Sequence, residues 1–297
     1  MRLRSSASNN LPNNLEVGRQ SRKDWRRLGE VLVGLGALRD DQVESILDHQ
    51  SNTGKLFGEA SVEMGLVTPA MLRIAQERQH GVKVLSPEDE SVDHRVIAAF
   101  DPHHEFVERI KVMLLNLGIM LSTQGAAKIV LVSGVEAARE SALVAANLAV
   151  VCAQGGTRTL LVDANLDQPV HNHLFRINNR SGVSTLLAST DAPLRLAMQT
   201  AIDNLWVIPA GPSRPDASAL LEREQLVHRL MPAMEDFDAV IIECGSLLAP
   251  LVARAAIGVH GAMLAVREHE SSMNDLRALV DMITLKGVPQ TSVVMMS

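Results

Sequence analysis

The sequence predicts an α/β protein: a doubly wound, mostly parallel sheet, preceded by a small all-helical domain. Three observations predict it. Residues 127 to 175 read as one βαβ unit, with an apolar strand at Ile129–Val132, a loop at Ser133 and Gly134, and a helix from about Glu140 to Gln154. A Gly155-Gly156 turn and a second apolar strand, Thr159–Val162, complete the unit, which ends on Asp163. Further apolar strands recur at Leu205–Ile208, Ala239–Ile242, Ala262–Val266 and Ser292–Met296, with helical stretches near Ser218–Met231, Leu251–Ile257 and Ser272–Thr284 between them. Such alternation means a parallel sheet covered on both faces. Third, residues 27–79 repeat with a period of 29 and carry helix stops without any strand pattern.

Composition sets the outer bounds. A chain of 297 residues has room for two domains, one with a substantial core. Hydrophobic residues make up 46% and charged ones 21%, the balance of a globular protein. A net charge of −6 argues against broad nucleic-acid binding. Cys152 and Cys244 are too few for a disulfide framework and sit in apolar contexts, so they read as buried thiols of a reducing cytoplasm. There is no apolar run long enough for a membrane span, and the basic N-terminus leads into Ser and Asn rather than a leader-like stretch. The expectation is a cytoplasmic chain without direct membrane insertion.

In chain order, residues 1–23 are rich in Ser, Asn and Arg and read as a disordered tail. Residues 24–82 hold the repeat. Its first copy runs from Arg27-Leu28-Gly29-Glu30 through Leu32 and Gly36 to Gln50; its second runs from Leu56-Phe57-Gly58-Glu59 through Gly65 to Gln79, with Ser51–Lys55 between them. Each copy reads as an apolar helix stopped by glycine, then a second helix opening at Arg39-Asp40 or at Thr68-Pro69, where Thr68 is a good N-cap. This doubled pattern resembles the N-terminal domain of type II secretion and pilus ATPases. The resemblance implies cyclic di-GMP binding, with Arg27 supplying charge, Gly29 and Gly58 letting backbone N–H groups approach phosphates, and Leu28, Leu32, Gly36, Phe57 and Gly65 completing the candidate site. Leu56 stands where the second arginine of that pattern belongs. A docking module whose glycines only stop helices is the other reading.

Residues 83–97 are polar, carry Pro87 and show no core period, so they read as a linker to a domain at 98–297. The helix from Glu105 places Val107, Ile110, Met113, Leu114 and Leu117 on one apolar face. The βαβ unit follows, and its first loop is a phosphate site by position. Its residues are Val135-Glu136-Ala137-Ala138-Arg139-Glu140-Ser141-Ala142, then Ala145-Ala146-Asn147-Leu148-Ala149.

This stretch resembles the bacterial tyrosine autokinases of exopolysaccharide systems, relatives of the ParA and MinD ATPases of the P-loop class, whose pattern is GEGK(S/T)-x-x-AANLA followed by LL(I/V)DADLRxP. Aligned on Ala145–Ala149, the family's glycines fall on Ala138 and Glu140, its lysine on Ser141 and its Mg²⁺ hydroxyl on Ala142. The nucleotide remnant is therefore Gly134, Arg139, Glu140, Ser141 and Ala142. A carboxylate at Glu140 repels a phosphate about 4 Å away by roughly 4 kcal/mol at an effective dielectric near 20. Asp163 keeps the family's first acid, while Asn165 and Asp167 replace the next motif positions; Glu243 stands for the aspartate after the third strand. Both acids also read as ordinary solvated or capped strand ends.

The helix pattern used for ring assembly is matched by Glu108 and Lys111 but carries Leu114 in place of its last arginine, and Pro209-Ala210-Gly211-Pro212 matches a further motif. The resembled kinases phosphorylate tyrosines on their own tails; this sequence contains none. The resemblance thus implies a kinase frame with degraded ATP chemistry: a non-catalytic regulatory or scaffold protein requiring no cofactor, with Mg·ATP disfavoured and cyclic di-GMP as candidate ligand. Its implied partners are a membrane chain-length or export protein, an active kinase relative, or a second copy of the chain, which would place it peripherally at the inner membrane. An active ATP-binding kinase or ATPase with an unorthodox loop is the alternative. His171 and His173 are two apart, so a helix points them to different faces and no metal site is expected there.

Overall fold

The computed structural model describes residues 28–69, 71, 72, 75, 84–117, 127–189 and 196–296. The chain divides into two compact units, residues 1–82 and 83–297. The expected tail and Arg27 lie outside the described residues, as does Gln79 at the end of the repeat.

The first unit makes the sequence repeat structural. A helical segment at 28–34 is followed by α1 (Asp40–Thr53); α2 (Phe57–Glu63) is followed by a helical turn capped by Thr68, whose Oγ1 accepts from Met71 N at 3.2 Å. Gly36 and Gly65 both adopt positive φ, 69° and 66°, where a side chain would be strained. The same closing bonds recur one period apart: Ala37 and Leu38 donate to Leu32 O, and Leu66 and Val67 donate to Ser61 O. Gly29 and Gly58 occupy helix crossings. A Cβ on Gly29 would lie 3.2 Å from Val43, and one on Gly58 3.0 Å from Leu72, residues themselves one period apart. Leu28, Leu32, Ile46, Phe57 and Ala60 are buried in one small core.

The second unit is a seven-stranded sheet. After a 3₁₀ turn at Ile97–Ala99 come α3 (Glu105–Asn116), β1 (Lys128–Val135), α4 (Ala138–Gln154) and β2 (Thr159–Asp163). Two short helices, α5 (His171–Leu174) and α6 (Val183–Ala188), precede β3 (Met198–Gln199) and β4 (Leu205–Ile208). Then follow α7 (Ala217–Arg223), α8 (Leu226–Met234), β5 (Ala239–Glu243), α9 (Ala249–Ala255), β6 (Gly261–Arg267), α10 (Met273–Leu285) and β7 (Thr291–Met296). The strand order is β3-β4-β2-β5-β1-β6-β7, parallel throughout except for the β3–β4 pair.

Both faces of this sheet are covered, which is why its strands read as continuous apolar runs. Ile129, Leu131, Leu160, Val162, Val240 and Ile242 pack toward α6 to α10, while Val130, Val132, Leu161, Ile241 and Met263 pack toward α3 and α4. On α3, Val107, Ile110 and Leu117 are buried and Met113 and Leu114 pack beside them, as the period requires. Glu108 pairs with Lys111 at 2.7 Å.

Two expectations need correction. Residues 83–97 are not a free linker: Leu85, Val92 and Val96 are buried in the second unit's core, Leu85 N donates to Ala99 O and Asp93 N to Leu174 O. Their apolar residues follow no helical or strand period, because the segment is held by tertiary contacts rather than by its own structure. The helix expected over Ser218–Met231 is broken into α7 and α8, with Glu224 extended at φ −94° and ψ 147° between them.

Candidate functional site

The first loop of the sheet is shorter than a phosphate loop. β1 continues through Ser133 and Gly134 to Val135, and α4 begins at Ala138, two residues before the expected Glu140. Only Glu136 and Ala137 connect them, and Glu136 takes a left-handed conformation at φ 55°. Gly134 is required by this tight bend: its Cβ would stand 2.2 Å from the Ala137 carbonyl oxygen. Its N–H donates to Gly245 O at 2.8 Å, tying the loop to the strand next door.

Arg267 at the end of β6 and two serines of the turn that follows it close the loop from the other side. Arg267 Nη2 donates to Glu136 O at 2.9 Å, and Ser271 Oγ donates to Val135 O at 2.6 Å. Ser272 N donates to the Glu136 carboxylate at 3.2 Å. Arg267 Nε also lies 3.9 Å from Glu140 Oε2, so the carboxylate that would repel a phosphate has an internal cation facing it. Arg139 is exposed. Nothing in the sequence pointed to Arg267 or Ser271, which lie more than a hundred residues from the loop they bind.

Below the loop, the residues that the resemblance aligns with the nucleotide and magnesium ligands are bonded to one another. Ser141, at the lysine position, is buried and donates its hydroxyl to Glu243 Oε1 at 2.6 Å. Gly245 N donates to the same oxygen at 2.7 Å. Gly245 is at φ 60°, and a Cβ there would stand 2.5 Å from Asn165. Ala142 is buried and offers no ligand.

Asp163 and Glu243 are neighbours across the β2–β5 ladder and are fully buried, so neither is a solvated strand end. Each is capped instead: Asp163 accepts from Asn165 N and His171 N, both at 3.2 Å. His171 lies on the buried face of α5 and its Nε2 stands 3.6 Å from Glu243 Oε2, while His173 points to solvent. Burial, with Glu243 beside it and His171 only partly compensating, pushes Asp163 up to about 7. Burial opposes a charged imidazolium at His171, and the two carboxylates outweigh it, so its pKa is raised. Cys152 and Cys244 are free and buried; desolvation pushes Cys152 up to about 12 and Cys244 higher still. Both thiols are therefore unreactive.

These residues do not fit a Mg·ATP complex. The residue aligned with the lysine is a short hydroxyl already bonded to Glu243, the one aligned with the hydroxyl carries a methyl, and a carboxylate, Glu140, stands at the loop facing Arg267. The class that fold and site define is thus a doubly wound α/β unit whose first loop and the strand ends beneath it are tied together by the chain's own side chains.

No family model matches the chain. Its relatives in sequence are bacterial tyrosine-protein kinases. It is 26% identical over 274 residues to tyrosine-protein kinase wzc of Salmonella typhi, an alignment covering 91% of this chain and 37% of that protein. It is 25% identical over 222 residues to tyrosine-protein kinase etk of Escherichia coli K12, covering 67% of this chain and 30% of that protein. The chain thus spans about a third of the length of these relatives. In fold, the kinase domain of Escherichia coli tyrosine kinase ETK superposes with a TM-score of 0.60 at 22% identity, covering 74% of this chain and 91% of that domain. The BceF tyrosine kinase domain gives 0.54 at 22% identity, with 75% and 86% covered. The second unit therefore has the fold of the bacterial tyrosine-kinase domains.

In the first unit, the structure brings the two halves of the repeat together but buries much of the candidate cyclic di-GMP set. Leu28, Leu32 and Phe57 line its core, and Gly29 and Gly58 sit at helix crossings. Leu56, at the position of the missing arginine, is exposed. Among the described residues, no helix is long and apolar enough to cross a membrane.

Proposed function

We propose that this chain is a non-catalytic, kinase-like regulatory or scaffold protein of exopolysaccharide synthesis and export. The observation that carries this reading is the 2.6 Å bond from Ser141 to Glu243, which turns the residue aligned with the family's lysine inward onto a carboxylate of its own chain. Phosphoryl transfer depends almost wholly on positioned cations and metal, and this loop supplies neither a lysine nor a ligand hydroxyl. None of these 297 residues is a tyrosine, which is in keeping with this reading. What such a protein retains is surface, with which it engages a membrane export or chain-length protein, or an active kinase.

The names of the relatives favour an active kinase instead, and one experiment separates the two. Mg·ATP is titrated into the full chain and its hydrolysis followed; neither heat of binding nor turnover is expected. Turnover abolished by Asp163→Ala would sink the non-catalytic reading.

A second reading, a cyclic di-GMP sensor in the first unit, is favoured by the duplicated hairpin with its paired left-handed glycines at Gly36 and Gly65. Titration of the full chain with cyclic di-GMP tests it. Saturable binding weakened by Arg27→Ala supports the sensor, and absence of binding at high micromolar ligand removes it.

A further inference from the structure

The buried cluster below the loop carries chemistry that a closed nucleotide site does not need. We infer that Asp163, His171 and Glu243 form a site for a single divalent first-row transition metal ion, zinc foremost, bound without nucleotide. The three side chains come from the end of β2, the start of α5 and the end of β5, and all are fully buried. One donor atom from each lies within 4.8 Å of the other two. A tetrahedral zinc with metal–ligand bonds of about 2.1 Å holds its donors roughly 3.4 Å apart. The 3.6 Å between His171 Nε2 and Glu243 Oε2 is already close to that spacing.

The hydrogen bonding points the same way. Neither ring nitrogen of His171 makes a hydrogen bond, and Glu243 Oε2 has only the 3.6 Å approach of His171 Nε2, too long for one, although both residues are sealed from water. Buried polar atoms without partners are rare because their desolvation is uncompensated. One cation between the carboxylates and the imidazole would satisfy Nε2 and Oε2 together. The outer contacts are also those of a metal site: Ser141 Oγ and Gly245 N fix Glu243 by its other oxygen, and two backbone N–H groups fix Asp163.

The donor set selects the ion. Magnesium and calcium take oxygen ligands, whereas an imidazole nitrogen with two carboxylates suits zinc and its neighbours. Three protein donors leave one tetrahedral position open. The bound ion would staple the ends of β2 and β5 to α5, a structural role independent of whether the chain turns over ATP.

The test uses the full chain and the metal alone. Protein as isolated is assayed for bound metal, then unfolded in chelator and refolded with Co²⁺ in the absence of nucleotide. One Co²⁺ per chain, with visible d–d absorption and a raised thermal midpoint, is the expected result. His171→Gln, checked for native secondary structure, should weaken binding by roughly 100-fold or more, and Glu243→Gln should do likewise. Binding unchanged in a folded His171→Gln variant would assign the metal to surface histidines and overturn the inference. Wild-type protein that refolds without taking up Co²⁺ would overturn it even if neither variant folds. Metal uptake only in the presence of ATP would overturn it together with the non-catalytic reading, whereas ATP turnover in a protein that also binds Co²⁺ alone would remove only the latter.

Discussion

Ser141 is the residue that the sequence resemblance aligns with a lysine, and its hydroxyl does the opposite of what a lysine would do there. A lysine reaches out of the loop toward an anion; Ser141 turns inward and donates to a carboxylate of its own chain. Loss of a donor to a buried acceptor ordinarily costs about 1–3 kcal/mol. Ser141→Ala should therefore lower the unfolding free energy of the second unit by that amount in denaturant titrations. An unchanged midpoint would mean that Glu243 does not depend on the bond. The presence of Asp163 and Glu243 was legible from their positions after β2 and β5. Their burial was not, because a strand end in sequence carries no sign of what covers it. His171 was the harder case: its eight-residue separation from Asp163 spans an irregular loop, and no periodic argument places two such residues together.

At the scale of elements, α4 organises its surroundings through one polar residue. Asn147, in the middle of the Ala-rich motif that anchors the family pattern, is fully buried. Its Oδ1 accepts from Ala98 N at 2.8 Å and its Nδ2 donates to Leu143 O and Arg95 O. The residue thus holds the segment at 95–98 against the helix. Asn147→Ala would strand the buried Ala98 N–H, at a cost of about 1–3 kcal/mol, and should speed proteolytic cleavage within residues 84–101. Equal cleavage rates in the two proteins would count against this role. The same segment carries an acid-sensitive contact. Arg95 donates twice to the Asp93 carboxylate, at 2.8 and 3.1 Å, and this holds Asp93 down to about 2. Because the folded pKa is depressed, the stabilisation is present above the ordinary value of 3.8 and is lost as pH falls through about 2. Wild type should accordingly be more stable than Asp93→Asn above about pH 4, and the gap should close toward pH 2. A gap that stays constant over this range would show that the carboxylate's charge contributes nothing.

At the scale of the whole molecule, among the described residues each unit has a core of its own: one small cluster spans Leu28 to Ala75 in the first, and two large ones begin at Leu85 and Ile129 in the second. A fragment of residues 84–297 should therefore unfold cooperatively, with the midpoint of the corresponding transition in the full chain. A molten fragment, with native helix content but no sharp transition, would contradict this. The sequence by itself determined the two-unit plan, the repeat and nearly every long strand, because apolar period and glycine stops are local quantities that survive without tertiary context. Only the tertiary structure decided how the site is built: Asp163 and Glu243 from two strand ends converge with Ser141 of α4 and His171 of α5, and Arg267 reaches the loop from the end of the neighbouring strand β6. Those meetings depend on strand order, β2-β5-β1-β6, which sets residues far apart in the chain side by side and leaves no trace in spacing.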